Sequence, residues 1–394
     1  MKKFTKVLAL VLAAMLVICS FAACARKDNG DTNADSSSYD LSKTGDYTAK
    51  NTEIVIGATG PLTGDASSYG ISVQNGAQIA VDEINANGGL NGIKFAFNMK
   101  DDEATADKAT TGYNTLFEEG MNISIGSVTS GSCEAFGTAA AQDGVFLITP
   151  SASAAPVIAT GDNAFRICFG DPQQGSLAAE ELTKNYKNIG VIYDNSDSYS
   201  SGIYDAFKAE METLNAEFKT QSFDAENKLD FSTQIAALKD CDVIFLPIYY
   251  TEASLIAKAA TAAGCEAVLF GTDGLDGVAA MIDSSVKNEV SYITPFDAQS
   301  TDEKVAAFVK AYKEKTGETP DQFAADAYDA IYVIYNALVE LDLKNAAVDP
   351  AELGNAVRSV LLNGSFKVDG ITGTMTWEAS GSCNKSLNIV TVEK

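Results

Sequence analysis

The sequence predicts an α/β fold of two blocks, each a parallel sheet with helices on both faces. Three observations predict it. Short apolar runs alternate with amphipathic stretches from Thr52 onward, the alternation restarts near Ile189, and small or polar residues follow the apolar runs. Strictly alternating strand and helix at this spacing implies parallel pairing.

The first block opens with the strand Glu53-Ile-Val-Ile-Gly57 and a glycine-rich loop through Gly64. A helix follows from about Ser68 to Asn87, with Val73, Ala77, Val81 and Ile84 on one face and Asn87-Gly88-Gly89 as its stop. Strands are predicted at 95–99, 122–126 and 145–149, separated by helices at 105–119 and 132–142. The second block runs as strand Ile189–Tyr193, helix 201–215, strand Val243–Pro247, helix 252–263 and strand 267–270. After Ile293 the pattern changes to helices at 302–316, 323–342 and 350–362, then a β-rich tail from Phe366 to Val392. The stripe Tyr328, Ile331, Tyr332, Ile334 and Tyr335 reads as core packing. These helices supply what the first block lacks, so they are expected to fold back onto it, with the tail completing the second block. Lobe 1 is then 52–169 with 298–362, and lobe 2 is 170–297 with 363–394. Three hinge crossings fall near 169–172, 295–298 and 362–366.

Composition narrows the function. With 46% hydrophobic residues, the 394-residue chain can bury two ordinary cores. It carries 28 Lys+Arg against 53 Asp+Glu, a formal charge of −25, which argues against nucleic acid as a partner. There is no histidine, which removes Ser-His-Asp and Cys-His catalysis and every His-based zinc site. No metal and no cofactor are expected. A hydrolase using paired carboxylates would need two acids in one cleft, and only Asp273 stands out. A sensor or adhesin would need a membrane segment or a second module, and none is read here. The runs Gly57-Ala-Thr-Gly60 and Gly126-Ser-Val-Thr-Ser-Gly131 follow strands but lack the P-loop Lys-Ser/Thr and the G-x-G-x-x-G spacing, so they are no phosphate cradles.

Residues 1–23 read as a removable signal segment. A basic start (Lys2, Lys3, Lys6) leads into the apolar stretch Val7 to Ile18, too short for a comfortable membrane span of about 20 residues. Ala22 and Ala23 immediately before Cys24 resemble the bacterial lipoprotein signal, although Phe21 departs from its usual Leu, Val or Ile. That resemblance implies a diacylated Cys24 anchoring the chain to the outer face of the cell membrane; plain secretory cleavage nearby is the alternative. Residues 24–51 are polar and read as a flexible tether. Beyond Cys24, Cys133, Cys168, Cys241, Cys265 and Cys383 are odd in number and contain no CxxC, so buried free thiols are expected.

Residues just past strand carboxyl ends line the ligand crevice of an open parallel sheet. Ser130 and Ser153 each follow such a run, and Asp273 follows Ala267-Val-Leu-Phe-Gly271. Two hydroxyls beside helix amino termini suit a carboxylate, and an aspartate opposite suits an ammonium. The chain is therefore expected to hold a small zwitterion. Helix capping by the serines and a plain turn at Asp273 are the alternatives on residues alone.

An ordered set of motifs resembles a known family. Asp82-Glu-Ile-Asn-Ala-Asn-Gly-Gly-Leu-Asn-Gly92 is similar to the IN-x-x-GG-[IL]-x-G signature of the branched-chain (leucine, isoleucine, valine) amino-acid receptors of ABC importers. Matches continue through Pro61-Leu-Thr-Gly64 with Tyr69-Gly70, Gly126 to Ser130, Pro150-Ser-Ala-Ser153, Phe165-Arg166 with Asp171 and Gln174-Gly175, Gly271-Thr-Asp273, Tyr328-Asp-Ala330, and Gly373 with Trp377. The resemblance implies two Rossmann-like lobes joined by a three-segment hinge, the type I periplasmic-binding-protein fold. It implies an α-carboxylate held by Ser130, Ser153 and backbone amides of the Ser151-Ala152-Ser153 loop, and an ammonium held by the Ser151 carbonyl and Asp273. Tyr69, Tyr199 and Tyr249 would flank the ligand, and a membrane permease would receive it. Ser153 stands where the family has threonine, Asp273 where leucine receptors often have Glu, and Thr129 at a cysteine position of the family's first-lobe disulfide. Arg166 is expected to be a structural residue, either in an ion pair or fixing a loop.

Overall fold

The computed structural model describes residues 39–282, 284–385 and 388–392. The expected signal segment and Cys24 lie outside the described residues.

Two sheets organise the chain. The first contains β1 (Glu53–Gly60), β2 (Lys94–Asp101), β3 (Ile123–Ser124), β4 (Leu147–Thr149) and β5 (Ala164–Arg166), all parallel, in the order β2-β1-β3-β4-β5. Beyond Glu53 every residue of β1 is buried, as a central strand covered on both faces must be. The second contains β6 (Ile189–Asp194), β7 (Phe218–Phe223), β8 (Val243–Leu246), β9 (Val268–Gly271) and β10 (Val290–Thr294), with the parallel order β7-β6-β8-β9-β10. Both sheets thus use the doubly wound order 2-1-3-4-5, whose direction of winding reverses beside the first strand and opens a crevice there.

Helices α1 (Ser67–Ala86), α2 (Ala106–Glu118) and α3 (Ser130–Asp143) serve the first sheet, and α4 (Asp171–Asn185), α5 (Ser198–Thr213), α6 (Ser232–Leu238) and α7 (Tyr250–Ala263) the second. Five of these elements carry weak sequence signals: β5, α4, β7, α6 and β10. Strand β7 is a polar edge with only Phe223 buried, and α4 buries mainly small residues, Ala178 and Ala179 with Leu182.

Helices α8 (Glu303–Thr316), α9 (Gln322–Glu340) and α10 (Pro350–Leu361) return to the first sheet. Helix α9 lies so close to α1 that a Cβ on Gly76 would meet the Ala324 carbonyl oxygen at 2.0 Å, so only glycine fits. The stripe on α9 is half core, half hydrogen bond. Ile331 and Ile334 are fully buried, while the hydroxyls of Tyr328 and Tyr332 donate to Glu83 of α1 at 2.6 and 3.0 Å.

Two expectations need correction. The tether does not extend to residue 51: Thr48 is fully buried and donates to Val348 O at 2.9 Å, and Thr44 bridges Val348. Backbone pairing ties down a polar segment that has little apolar surface of its own. Nor does the whole tail complete the second sheet. Strands β11 (Val368–Gly370), β12 (Gly373–Trp377) and β13 (Cys383–Asn384) form a separate antiparallel sheet. Asp329 of α9 accepts from the amides of Ile371 and Thr372 at 2.9 Å each, and Trp377 Nε1 donates to Arg166 O of β5 at 2.9 Å. Only β14 (Asn388–Thr391) joins the second sheet, antiparallel to β10. Lys385, just after β13, is buried in an ion pair with Asp326 of α9, so the tail is still packed on the first lobe well past 362–366.

Candidate functional site

Six loops from the carboxyl ends of the two sheets meet at one cleft. After β1 comes Tyr69, in the first turn of α1; after β3, Ser130; after β4, Ser151. From the second sheet come Tyr199 after β6, Tyr249 after β8 and Asp273 after β9. All six line one narrow cavity, together with Val128, Thr129, Gly274 and Phe323. The centre of a water molecule has only about 10 Å³ of freedom inside it, so admission of any larger guest requires the walls to part. A larger open groove along α8 between Ala298 and Glu314 lacks buried polar side chains.

The first wall is built from dipoles. Ser130 is the first residue of α3, and its Oγ accepts from Ala154 N at 3.2 Å. Thr129 precedes it at the N-cap in an extended conformation but makes no side-chain cap bond, and its buried Oγ1 has no partner. An α-helix leaves its first four N–H groups unsatisfied, so this corner favours an anion. Ser151 Oγ donates to Val128 O at 2.7 Å, which locks the two loops together.

Ala152 and Ser153 do not line the cavity. Ala152 N is turned inward onto Thr149 Oγ1 at 3.0 Å. Ser153 is fully buried, and it precedes a short 3₁₀ turn, Ala155–Ala159, rather than an α-helix amino terminus. Both terminal nitrogens of Arg166 bind this loop, at Ser153 O and, at 2.9 Å, Ala154 O. Of the two structural roles expected of it, these bonds correspond to loop fixing.

The second wall carries the charge. Asp273 opens a short 3₁₀ turn after β9 and is 5% exposed. Tyr199 OH donates to Asp273 Oδ1 at 2.7 Å and accepts from Gly274 N at 2.9 Å. Burial pushes the Asp273 carboxyl up to about 7, while the bonds from Tyr199, Gln174 and the Gly274 amide oppose the shift. Tyr249 stacks on Tyr199 with ring centres 5.0 Å apart, and its solvent-shielded hydroxyl has no partner. Tyr69 reaches across: its hydroxyl donates to Gly274 O and accepts from Tyr250 N at 3.1 Å.

Sequence reasoning missed Val128, Thr129, Gly274 and Phe323. The first three lie within two residues of predicted residues at strand ends and could have been found by widening those windows. Phe323 had no local signal, because it comes from α9 and reaches the cavity beside Tyr69, with ring centres 4.2 Å apart. The described cysteines are all free and buried. Among the described residues no cluster of acids and cysteines could hold a metal.

Residues 53–394 match the model of the family described as periplasmic binding protein. The chain belongs to that family, in the branch that holds the Leu/Ile/Val-binding proteins. It is 32% identical to the Leu/Ile/Val-binding protein BraC3 of Rhizobium johnstonii, over 84% of this chain and 88% of that one. Among solved structures it is similar to the branched-chain amino acid transporter substrate binding protein LivJ of Streptococcus pneumoniae in complex with isoleucine. Identity there is 28%, coverage 86% and 95%, and the TM-score 0.76. The leucine binding protein LivK of Thermotoga maritima gives the same TM-score of 0.76 at 25% identity, covering 85% of this chain and 94% of that one. Periplasmic binding proteins are extracytoplasmic, and the family is one of substrate binding for transport.

Proposed function

We propose that this chain captures a small aliphatic amino acid, of the branched-chain class, and delivers it to the membrane permease of an ABC importer. One observation carries the reading: the open amino terminus of α3 and the buried Asp273 face one cavity from opposite lobes. The Thr129–Ser130 corner takes the α-carboxylate, the Ser151 carbonyl and Asp273 take the α-ammonium, and Val128, Tyr69, Tyr249 and Phe323 enclose the side chain. Burying both charges is costly unless each is paired, so a zwitterion is selected over molecules that leave one group unmatched. Binding is reversible, and no covalent chemistry is asked of the site.

Closure of the lobes completes the grip, since Tyr69 joins the first wall to Gly274 and Tyr250 of the second. In the same reading residues 1–23 are removed and Cys24 is lipidated, which keeps the receptor beside its permease. The signal-like run before Cys24 supports this, and Cys24→Ala is expected to release the protein from the cell surface into the medium.

A thermal-shift panel of the twenty amino acids, simple amides and aromatic acids tests the ligand class. Leucine, isoleucine or valine should raise the melting temperature in a concentration-dependent way. Stabilisation by benzoate or an amide, with none from any amino acid, would overturn the reading.

A further inference from the structure

Gln322 is a buried primary amide at the start of α9, 3% exposed, and three of its hydrogen bonds cross to the second lobe. Its backbone N–H donates to Asp276 Oδ2 at 2.9 Å, its Nε2 donates to Asp273 O at 2.9 Å, and its Oε1 accepts from Thr294 Oγ1 at 3.1 Å. A carbonyl oxygen only accepts, so the amide must turn its nitrogen to Asp273 and leave its oxygen to the Thr294 hydroxyl. The turn it grips is closed on itself, because Asp276 N also donates to Asp273 O at 2.9 Å. Tyr292 OH of β10 donates to Asp276 Oδ1 at 2.9 Å. Gln322 therefore holds both ends of the turn that carries Asp273, while Tyr69 reaches its middle at Gly274 O.

The first-lobe side of this tie is equally firm. Asp321 caps α9, accepting from Ala324 N at 2.9 Å and from Ser72 Oγ of α1 at 2.6 Å. Phe323 lines the cavity, and Ala324 O lies against Gly76 of α1. Thr294 ends β10, and from there the chain crosses to α8 on the first sheet. The contact thus sits beside a crossing, where two lobes shift least against each other as they part. Burying an amide is costly unless its groups are paired, and an apolar side chain would fill the same space without that risk. What the amide adds is direction.

Building on the amino-acid reading above, we propose that Gln322 is the positioning residue of the ammonium seat: it ties the Asp273 turn to the first lobe and so sets the separation between the acid and the carboxylate corner at α3. In an α-amino acid the ammonium and the carboxylate stand on one carbon, so both walls must be placed together for both groups to be met. Binding groups have to be held to within about 0.5 Å for that. Gln322 does not touch the ligand, and its effect passes through Asp273.

Calorimetric titration of the intact protein with leucine at pH 5 tests this with two side chains of similar size. Gln322→Met keeps the volume and removes both side-chain hydrogen bonds, and it should bind leucine about fivefold or more weakly than wild type. Gln322→Glu keeps them at this pH. Burial and the facing carboxyls of Asp273, Asp276 and Asp321 hold the introduced carboxyl neutral, with an O–H for Asp273 O and a carbonyl for Thr294. It should bind leucine within about twofold of wild type. A space-filling role would be met as well by methionine, so the rescue separates positioning from packing. The proposal is overturned if Gln322→Met matches wild type, or if Gln322→Glu is as weak as Gln322→Met. If either variant does not fold, Thr294→Val decides: it takes the donor from Gln322 Oε1 and should weaken leucine about threefold, and unchanged affinity overturns the proposal. Wild type that binds no amino acid would sink the reading of the ligand instead.

Discussion

The two walls of the cleft solve different electrostatic problems. The first-lobe wall offers neutral dipoles (the α3 amino terminus, Thr129 and Ser130) whose geometry is set by hydrogen bonds within that lobe, as from Ser151 to Val128 and from Ala154 to Ser130. The second-lobe wall offers a carboxyl group that burial holds near neutrality and that leans on Tyr199. Dipoles tolerate burial without a counter-charge and can be arranged in advance, whereas an acid at such depth is only partly ionised near neutral pH until a cation arrives. The first wall is therefore a fixed template, and the second is conditional on its guest.

Breaking the conditional wall should have the largest effect. Asp273→Ala strands the ligand ammonium in a closed cavity and should cost several kcal/mol of affinity by calorimetry, with little loss of melting temperature. Unchanged titration heats would remove Asp273 from the site. Tyr199→Phe deletes the donor to Asp273 and the acceptor for Gly274 N, and should cost about 1–2 kcal/mol, read in the same titration.

The protein without ligand should feel the same acid through its stability. Asp273 and Asp321 are both pushed up to about 7 by burial. A carboxyl raised above its unfolded value near 3.9 binds a proton in the folded state that the unfolded chain has already released. Stability is thus greatest below the unfolded value and falls as pH rises from about 4 to about 7. The melting temperature should be lower at pH 7.5 than at pH 5, and Asp273→Asn should remove part of that drop. A flat profile in wild type would mean that these acids are ionised in the fold.

The smallest effect belongs to the cleft mouth. Lys228 of the second lobe meets Asp65 of the first at 3.0 Å and Glu252 at 3.2 Å, but Asp65 is largely exposed. Lys228→Ala should cost well under about 1 kcal/mol of affinity and less still in high salt, because exposed ion pairs are screened. A loss as large as that of Asp273→Ala would mean that closure, rather than the ammonium seat, dominates binding.

How much was legible follows from what each residue depends on. Tyr69, Ser130, Ser151, Tyr199, Tyr249 and Asp273 could be read because a strand end exposes whatever follows it to the crevice, and apolar runs mark strand ends. Ser153 satisfied the same rule, yet lies behind the wall with Arg166 on its carbonyl. The rule gives the loop but not the direction of a side chain within it. Asp171 was read only as one letter of a motif, because the pattern around it does not show its burial. The tail misled for a related reason: β11 to β13 and β14 share a strand-like composition but pair with different regions.

What the sequence determined by itself was the alternation of buried and solvated faces, and hence two wound sheets with a crevice at their carboxyl ends. That information is local, since the burial of each face is written in the spacing of its own apolar residues. Only the tertiary structure decided which acids lie together, which find a partner and which are held near neutrality. Ionisation inside a protein depends on desolvation and on charges brought close from distant parts of the chain, as Asp171, Arg166 and Asp273 are.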